Sequence, residues 1–273
     1  MAGKTIVVTS GKGGVGKTTA TANVGTALAL RGHKVLLIDT DIGLRNLDVV
    51  MGLENRIVYD LVQLIEKVCK PHQAMIRDKH APELYLIPAA QTRDKTAVMP
   101  EQMRELCMQF KHEFDFILID SPAGIEQGFK TALAAADEAI VVTTPEVSAV
   151  RDADRVIGLV EASELPPPGL VLNRIRYRMV RRGDMMSTED VLSLLSVRLL
   201  GQVPDDDDIV VSTNRGVPAV HNEKSWSGQA FRNIAVRIEG QDVTFMQLSP
   251  REGVFSRFTR LFGLKGRGEY SRA

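Results

Sequence analysis

The stretch Gly11-Lys12-Gly13-Gly14-Val15-Gly16-Lys17-Thr18-Thr19 constrains this chain more than any other. It follows an apolar β-branched run, TIVVTS at 5–10, and precedes an Ala/Thr/Leu-rich helical pattern over 17–31. Residues 11–18 fit the spacing G-x-x-x-x-G-K-[ST]. Glycines let backbone amides wrap an anion closely, and a helix starting near Lys17 aims its positive end at the same point. A strand, a glycine loop and a helix in that order open a parallel α/β sheet whose ligand sits at the carboxyl ends of the strands. In that frame Lys17 bridges the β- and γ-phosphates of a nucleotide and the Thr18 hydroxyl ligates Mg²⁺. Gly11, Lys12, Gly13, Gly14, Val15, Gly16 and Thr19 complete the cradle. The competing reading, a glycine-rich turn with no ligand, leaves the strand and helix on either side unexplained.

The remaining chain continues the alternation. KVLLID (34–39), LYLIPA (84–89), FDFILID (114–120), EAIVVTT (138–144), GLVLNR (169–174) and LLGQVP (199–204) read as strands, mostly apolar throughout, as strands covered on both faces are. Helical patterns lie between them at about 58–68, 100–112, 127–136, 149–163, 187–196 and 226–238. The predicted fold is α/β: a P-loop NTPase with a mostly parallel twisted sheet and helices on both faces. Residues 1–245 read as one nucleotide-hydrolysing domain, and 246–273 as a linker and an amphipathic membrane-targeting segment. Ser187 with Asp190 reads as a helix start. Asp205 to Asp208 reads as a solvated turn, because the spacing and glycine of a calcium loop are missing.

Bulk properties narrow the function. Formal net charge is +0, so overall charge gives no attraction to nucleic acid. Cys69 and Cys107 form no CxxC pair and read as reduced, buried thiols. His33, His72, His80, His112 and His221 are scattered, which argues against a histidine metal site. No run reaches the roughly 18 apolar residues of a spanning helix. The expected location is cytoplasmic, with peripheral contact on the inner face of the cell membrane, or the stroma and envelope if the gene is plastid-borne.

A phosphate loop needs a carboxylate from a neighbouring strand. FILIDSPAG offers Asp120; LLIDTDIGLRNLD offers Asp39 and Asp41. Asp39 and Asp120 are assigned to the Mg²⁺ shell and Asp41 to orienting the attacking water. Lys12 is the puzzle, because Lys17 already fills the lysine role. It is either a solvated loop lysine or a cation that reaches a phosphate on a second copy of the chain, as an arginine finger does. In the second case hydrolysis requires a homodimer.

These residues carry a resemblance. KGGVGKT (12–18) is similar to the deviant Walker A motif of the MinD/ParA family of ATPases. DIGLRNLD (41–48), SPAGIE (121–126), TPEVSAVRDADR (144–155) and RGDMMS (182–187) resemble the cell-division branch of that family, over most of positions 3–220. The resemblance implies an ATP- and Mg²⁺-dependent ATPase in which Lys12 contacts nucleotide across an ATP-sandwich dimer. It implies that Asn173 meets adenine with Pro204 and Asp205 nearby. It implies that Asn46, Glu146 and Asp152 serve dimer and partner contacts. The partners implied are MinC-like and MinE-like division proteins, with recruitment of a division inhibitor to the membrane. LKGRGEYSRA (264–273) extends past the family's usual short tail.

The tail has its own logic. On a helix, Val254, Phe255, Phe258, Leu261 and Phe262 share an arc of about 120°, flanked by Arg257 and Arg260. Apolar on one side and cationic on the other is the pattern of a helix lying in an anionic membrane surface. Burial gains, halved for an interface, roughly cancel an ordering cost on the order of 10 kcal/mol. One tail therefore binds weakly, and two on a dimer gain avidity of roughly 10²–10⁴. The alternative is a helix docked on the domain.

Rival readings are a DNA-partitioning ATPase, supported by the basic run RIRYRMVRRG (174–183), and a flagellar-number regulator of the same family. An iron–sulfur carrier of the nitrogenase-reductase type needs cysteines that this chain lacks at the switch strands.

Overall fold

The computed structural model describes residues 2–94 and 96–247. The strands are β1 (Lys4–Thr9), β2 (Val35–Asp39), β3 (Ile76–Arg77), β4 (Leu84–Ile87), β5 (Phe116–Asp120), β6 (Glu138–Thr143), β7 (Gly169–Ile175) and β8 (Arg198–Pro204). They form one sheet in the order β3-β4-β2-β5-β1-β6-β7-β8, parallel except for the antiparallel pair β3–β4. The helices before the β4–β5 crossover are α1 (Lys17–Leu30), α2 (Leu47–Val50), α3 (Leu61–Ile65) and α4 (Pro71–Ala74). Then follow α5 (Pro100–Phe110), α6 (Gln127–Ala134), α7 (Val147–Glu161), α8 (Tyr177–Arg182), α9 (Thr188–Leu195), α10 (Asp207–Arg215) and α11 (Trp226–Ile238).

Strand side chains alternate between two cores, as the period of two requires. Val7, Ile38, Ile119 and Val141 face a layer with α5, α6, α7 and α9. Ile6, Val8, Leu37, Leu118 and Ile140 face a layer with α1 and α11. α1 is pressed between the sheet and α11, so its polar residues are buried too. Thr21 and Thr26 hydroxyls donate to the carbonyls of Lys17 and Ala22 (3.1 and 2.7 Å), which satisfies them inside the helix. At Gly25 an added Cβ would lie 2.4 Å from Leu37 Cδ2, so close helix–sheet contact requires glycine there.

Every strand and long helix read from the sequence is present; α2 and α4 are too short to show a pattern, and there are four further differences. The helix expected over 58–68 is shortened to Leu61–Ile65: Asp60 caps its start in a reciprocal box with Gln63, and Lys67 takes a positive φ of 60° just past its end. β3 is too short to show a pattern. α8 carries no buried residue and so has no apolar stripe to read. Asp205 to Asp208 is not a solvated turn: Asp206 caps α10 and accepts from Asp208 N, Ser227 N, Ser227 Oγ and Ser225 Oγ at 3.0, 3.0, 2.9 and 3.3 Å. Ser187 and Asp190 form the expected capping box of α9. Cys107 is buried, which pushes its thiol up to about 12, whereas Cys69 is only half-buried; both are free. The expected membrane residues Val254, Phe255, Phe258, Leu261 and Phe262 lie outside the described residues.

Candidate nucleotide site

Parallel register brings the chemistry together. Asp39 on β2 pairs directly with Asp120 on β5, and Val8 on β1 pairs with Asp120 from the other side. Both carboxylates are buried at the carboxyl edge of the sheet, beside the loop that leaves β1. Gly14 and Gly16 in that loop adopt positive φ (80° and 94°), and Gly16 is the left-handed cap from which α1 starts. Nothing lies within 4 Å of a Cβ added to Gly13 or Gly14, so the loop's open side has room for an anion. Lys17 is 7% exposed and its Nζ lies 3.4 Å from Asp120 Oδ1. Thr21 Oγ1 lies 3.1 Å from the same oxygen, which competes with Lys17 O for its single proton. The switch loop after β5 is tied to the phosphate loop where Gly124 N donates to Ser10 O (3.0 Å).

The cleft has a volume of about 530 Å³. Ser10, Gly13, Gly14, Gly16, Lys17, Thr18, Thr19, Asp41, Asn46, Pro122, Arg174 and Thr213 are among the residues that line it. Its charge is unbalanced. Burial, and then the charge of Asp120, push the Asp39 carboxyl up to about 7, although the amides of Asp41 and Leu47 work against the rise. Those amides donate to Asp39 Oδ1 and Oδ2 at 2.9 and 3.2 Å. Two buried carboxylates side by side, with one lysine between them and the cleft, match a phosphate–cation pair: the lysine for the anion, the carboxylates for the cation.

The two lysines of the loop separate as the residues imply. Lys17 faces the cleft; Lys12 lies outside it, its Nζ 3.2 Å from Ser148 Oγ and 4.0 Å from Glu146 Oε2 at the start of α7. Asp152 contacts the loop through its backbone instead: a Cβ on Gly11 would meet its carbonyl oxygen. Asn173 braces the phosphate loop, donating from Nδ2 to Val15 O (2.8 Å) while its Oδ1 accepts from Arg174 N (2.9 Å). Pro204 and Asp205 sit at the end of β8, where Asp205 pairs with Arg176 at 2.7 Å.

One pair escaped the sequence reading. Arg45 Nε lies 2.9 Å from Asp48 Oδ2, and Asp48 is fully buried beneath the loop that carries Asp41 and Asn46. Burial raises the Asp48 carboxyl and Arg45 opposes that. The i, i+3 spacing of opposite charges was the available signal.

A family model described as "ParA: NUBPL iron-transfer P-loop NTPase" matches residues 2–239. The chain belongs to the ParA family of P-loop NTPases. Within that family it is 55% identical over 266 residues to the septum site-determining protein MinD of Bacillus subtilis, covering 96% of this chain and 99% of that one. A MinC:MinD cell division protein complex from Aquifex aeolicus superposes with a TM-score of 0.83 at 46% identity, covering 89% of this chain and 98% of that one. The septum site-determining protein MinD of Pyrococcus horikoshii, complexed with Mg-ADP, gives 0.78 at 32% identity, with coverage of 86% and 96%.

Proposed function

We propose that this protein is a Mg²⁺-dependent ATPase that positions the division site by recruiting a division inhibitor to the membrane. The observation that carries the reading is the cleft: a buried lysine and two buried carboxylates beneath a glycine loop, in a chain 55% identical to a septum site-determining protein over nearly its whole length. MinC-like and MinE-like proteins are the proposed partners.

Each residue has a physical role in that reading. The loop amides and Lys17 hold the β- and γ-phosphates, with the α1 dipole adding to the attraction. Thr18, Asp39 and Asp120 would hold the magnesium ion, which neutralises phosphate charge when bound. Asp41, which lines the cleft, orients the water that attacks the γ-phosphorus. Asn173 keeps the loop in its wrapped form by holding Val15 O. Pro204 and Asp205, at the end of β8, would lie near the base. Lys12 is half exposed, and its contacts with Ser148 and Glu146 are weak ones for a solvated side chain. It is therefore free to leave them for the triphosphate of a second copy, and Asn46, Glu146 and Asp152 would border the surface where that copy docks. Dimerisation then completes the site and doubles the tails at the membrane.

The DNA-partitioning alternative loses support at α8. Arg176 pairs with Asp205, and Arg182 pairs with Asp184 at 2.9 Å, so two of the five arginines of the basic run already have a carboxylate beside them. The test is sedimentation with anionic vesicles in ATP, in ADP, and for Lys12→Ala in ATP, alongside ATPase rate against protein concentration. Binding only by the wild type in ATP, with a rate per chain that rises with concentration, is expected. Equal vesicle binding in all three conditions would refute the dimer switch.

A further inference from the structure

The end of the sheet opposite the nucleotide cleft carries a second depression. The strand starts of β6, β7 and β8 meet the end of α11 there. Ile6, Ile140, Pro167, Leu200 and Ile238 line a groove of about 300 Å³, with Glu138 and Arg198 also in its wall. Pro167 and Arg198 are exposed, so the groove opens to solvent. An apolar groove of this size fits one aromatic side chain and its neighbour.

The described chain ends next to it. One guanidinium, that of Arg237, donates from Nη1 to Leu200 O (2.8 Å) and from Nη2 to Val243 O (2.5 Å). The start of the linker is thus held at the groove's own wall. Phe245 lies over the same guanidinium, 3.9 Å from it to the ring centroid. Met246 packs on the core layer that contains Ile6, Ile140, Leu200 and Ile238. The chain is therefore still held against this layer at Met246. From Gln247 to Phe258 an extended chain spans up to about 35 Å, so length does not limit docking. Charge fits as well. Residues 248–273 carry Arg251, Arg257, Arg260, Lys265, Arg267 and Arg272 against Glu252 and Glu269. Glu138 in the wall is already paired with Lys4 at 2.8 Å, so the acidic contribution comes from exposed Glu161 and Glu164, which precede the Pro166-Pro167 rim.

We propose that this groove is a docking site in cis for the apolar face of the C-terminal segment, centred on Phe258, when no membrane is present. The proposal rests on the membrane role given to that segment above and adds a competitor to it. Docking hides the aromatic residues from water and lowers the affinity of each tail for lipid by the fraction of time it is docked. A docking preference of about tenfold lowers single-tail affinity about tenfold, and the affinity of a two-tailed dimer by about the square of that. Weak binding by the lone chain would then be a built-in property of the fold, in addition to the ordering cost of the tail.

The test uses the full chain without nucleotide. Trypsin cleavage at Arg257 and Arg260 is followed without lipid, and binding to vesicles of phosphatidylglycerol and phosphatidylcholine is measured separately. Pro167→Arg, at the exposed rim, should speed cleavage about tenfold and tighten vesicle binding by the same factor. Arg198→Glu should slow cleavage and weaken vesicle binding, because it adds a partner for the cationic tail. A disulfide between cysteines introduced by Pro167→Cys and Phe258→Cys should form without lipid and be suppressed by vesicles. Identical cleavage of wild type, Pro167→Arg and Phe258→Glu, or no disulfide without lipid, overturns the proposal. If the cleavage and disulfide results hold while the wild type never binds vesicles in any nucleotide state, docking stands and the membrane reading fails.

Discussion

Replacing Asp206 by alanine removes the acceptor of four hydrogen bonds that join β8, α10 and α11. The carboxylate is half-buried, so each bond is discounted below the range for a charged acceptor, to about 1 kcal/mol net. Three to four such bonds, with Ser225 and Ser227 left buried and short of partners, give a loss of about 3–4 kcal/mol. At about 2–4 °C per kcal/mol for a domain of this size, Tm should fall by about 6–16 °C in the nucleotide-free protein. Asp206→Asn keeps one acceptor oxygen and should lose about half as much. The pH dependence gives a second check. Burial raises the Asp206 carboxyl, but the Ser227 and Asp208 amides and the Ser227 and Ser225 hydroxyls lower it further, and the net shift is downward. Its stabilisation is thus present above the unfolded value near 3.8 and is lost as pH falls through the folded one. Thermal melts by circular dichroism between pH 3 and pH 7 should show that acid-side loss in wild type and a smaller one in the alanine variant. An alanine variant that melts within about 2 °C of wild type at pH 7 would show that the cap is not holding these elements together.

Two further substitutions probe the cleft. Gly16→Ala puts a Cβ 2.3 Å from Asn173 Nδ2 at a φ of 94°, so the loop must leave its wrapped form; fluorescent-nucleotide titration should show at least a hundredfold loss of affinity, and a loss under threefold would count against the brace. Arg45→Met leaves Asp48 buried without its cation and should destabilise the chain by about 3 kcal/mol in urea unfolding, while adding Asp48→Asn should recover most of that; equal stability of the single and double variants would mean the pair does not act as a unit.

The sequence was most legible where a residue type is needed for a local reason. The phosphate loop needs glycine at fixed offsets, and doubly covered strands need continuous apolar runs, so both could be read directly. Lys12 could be separated from Lys17 in role but not placed, because its neighbours Ser148 and Glu146 are supplied by α7, far along the chain. Asp206 was misread for the same reason. A run of carboxylates looks solvated until Ser225 and Ser227 arrive from α11 to donate to one of them. Asn173 shows the limit of resemblance: the family pattern gave a residue near the nucleotide, whereas its hold on Val15 O is visible only in the fold.

The same register that builds the site also leaves it charged, and this can be measured. Asp39 lies opposite Asp120 in a dry part of the sheet, and burial followed by that neighbour's charge holds its carboxyl at about 7. An ordinary aspartate sits near 3.8, so between these values the folded chain keeps a proton that the unfolded chain has lost. Stability of the nucleotide-free protein should therefore fall as pH rises from about 4 to about 7, and Asp39→Asn should flatten that slope while abolishing Mg²⁺-dependent hydrolysis. Loading the site reverses the balance. A cation between the two carboxylates favours their charged forms, so binding of Mg-ADP near pH 7 should expel roughly half a proton from Asp39, more at pH 6 and almost none at pH 8.5. Calorimetry in buffers of different ionisation enthalpy reads this directly, and the Asp39→Asn variant subtracts protons that come from the nucleotide. A heat that does not depend on the buffer at pH 6 and pH 7, or a dependence that survives Asp39→Asn, would mean that the pair is already ionised in the empty fold and that its charge is balanced by something other than a bound cation.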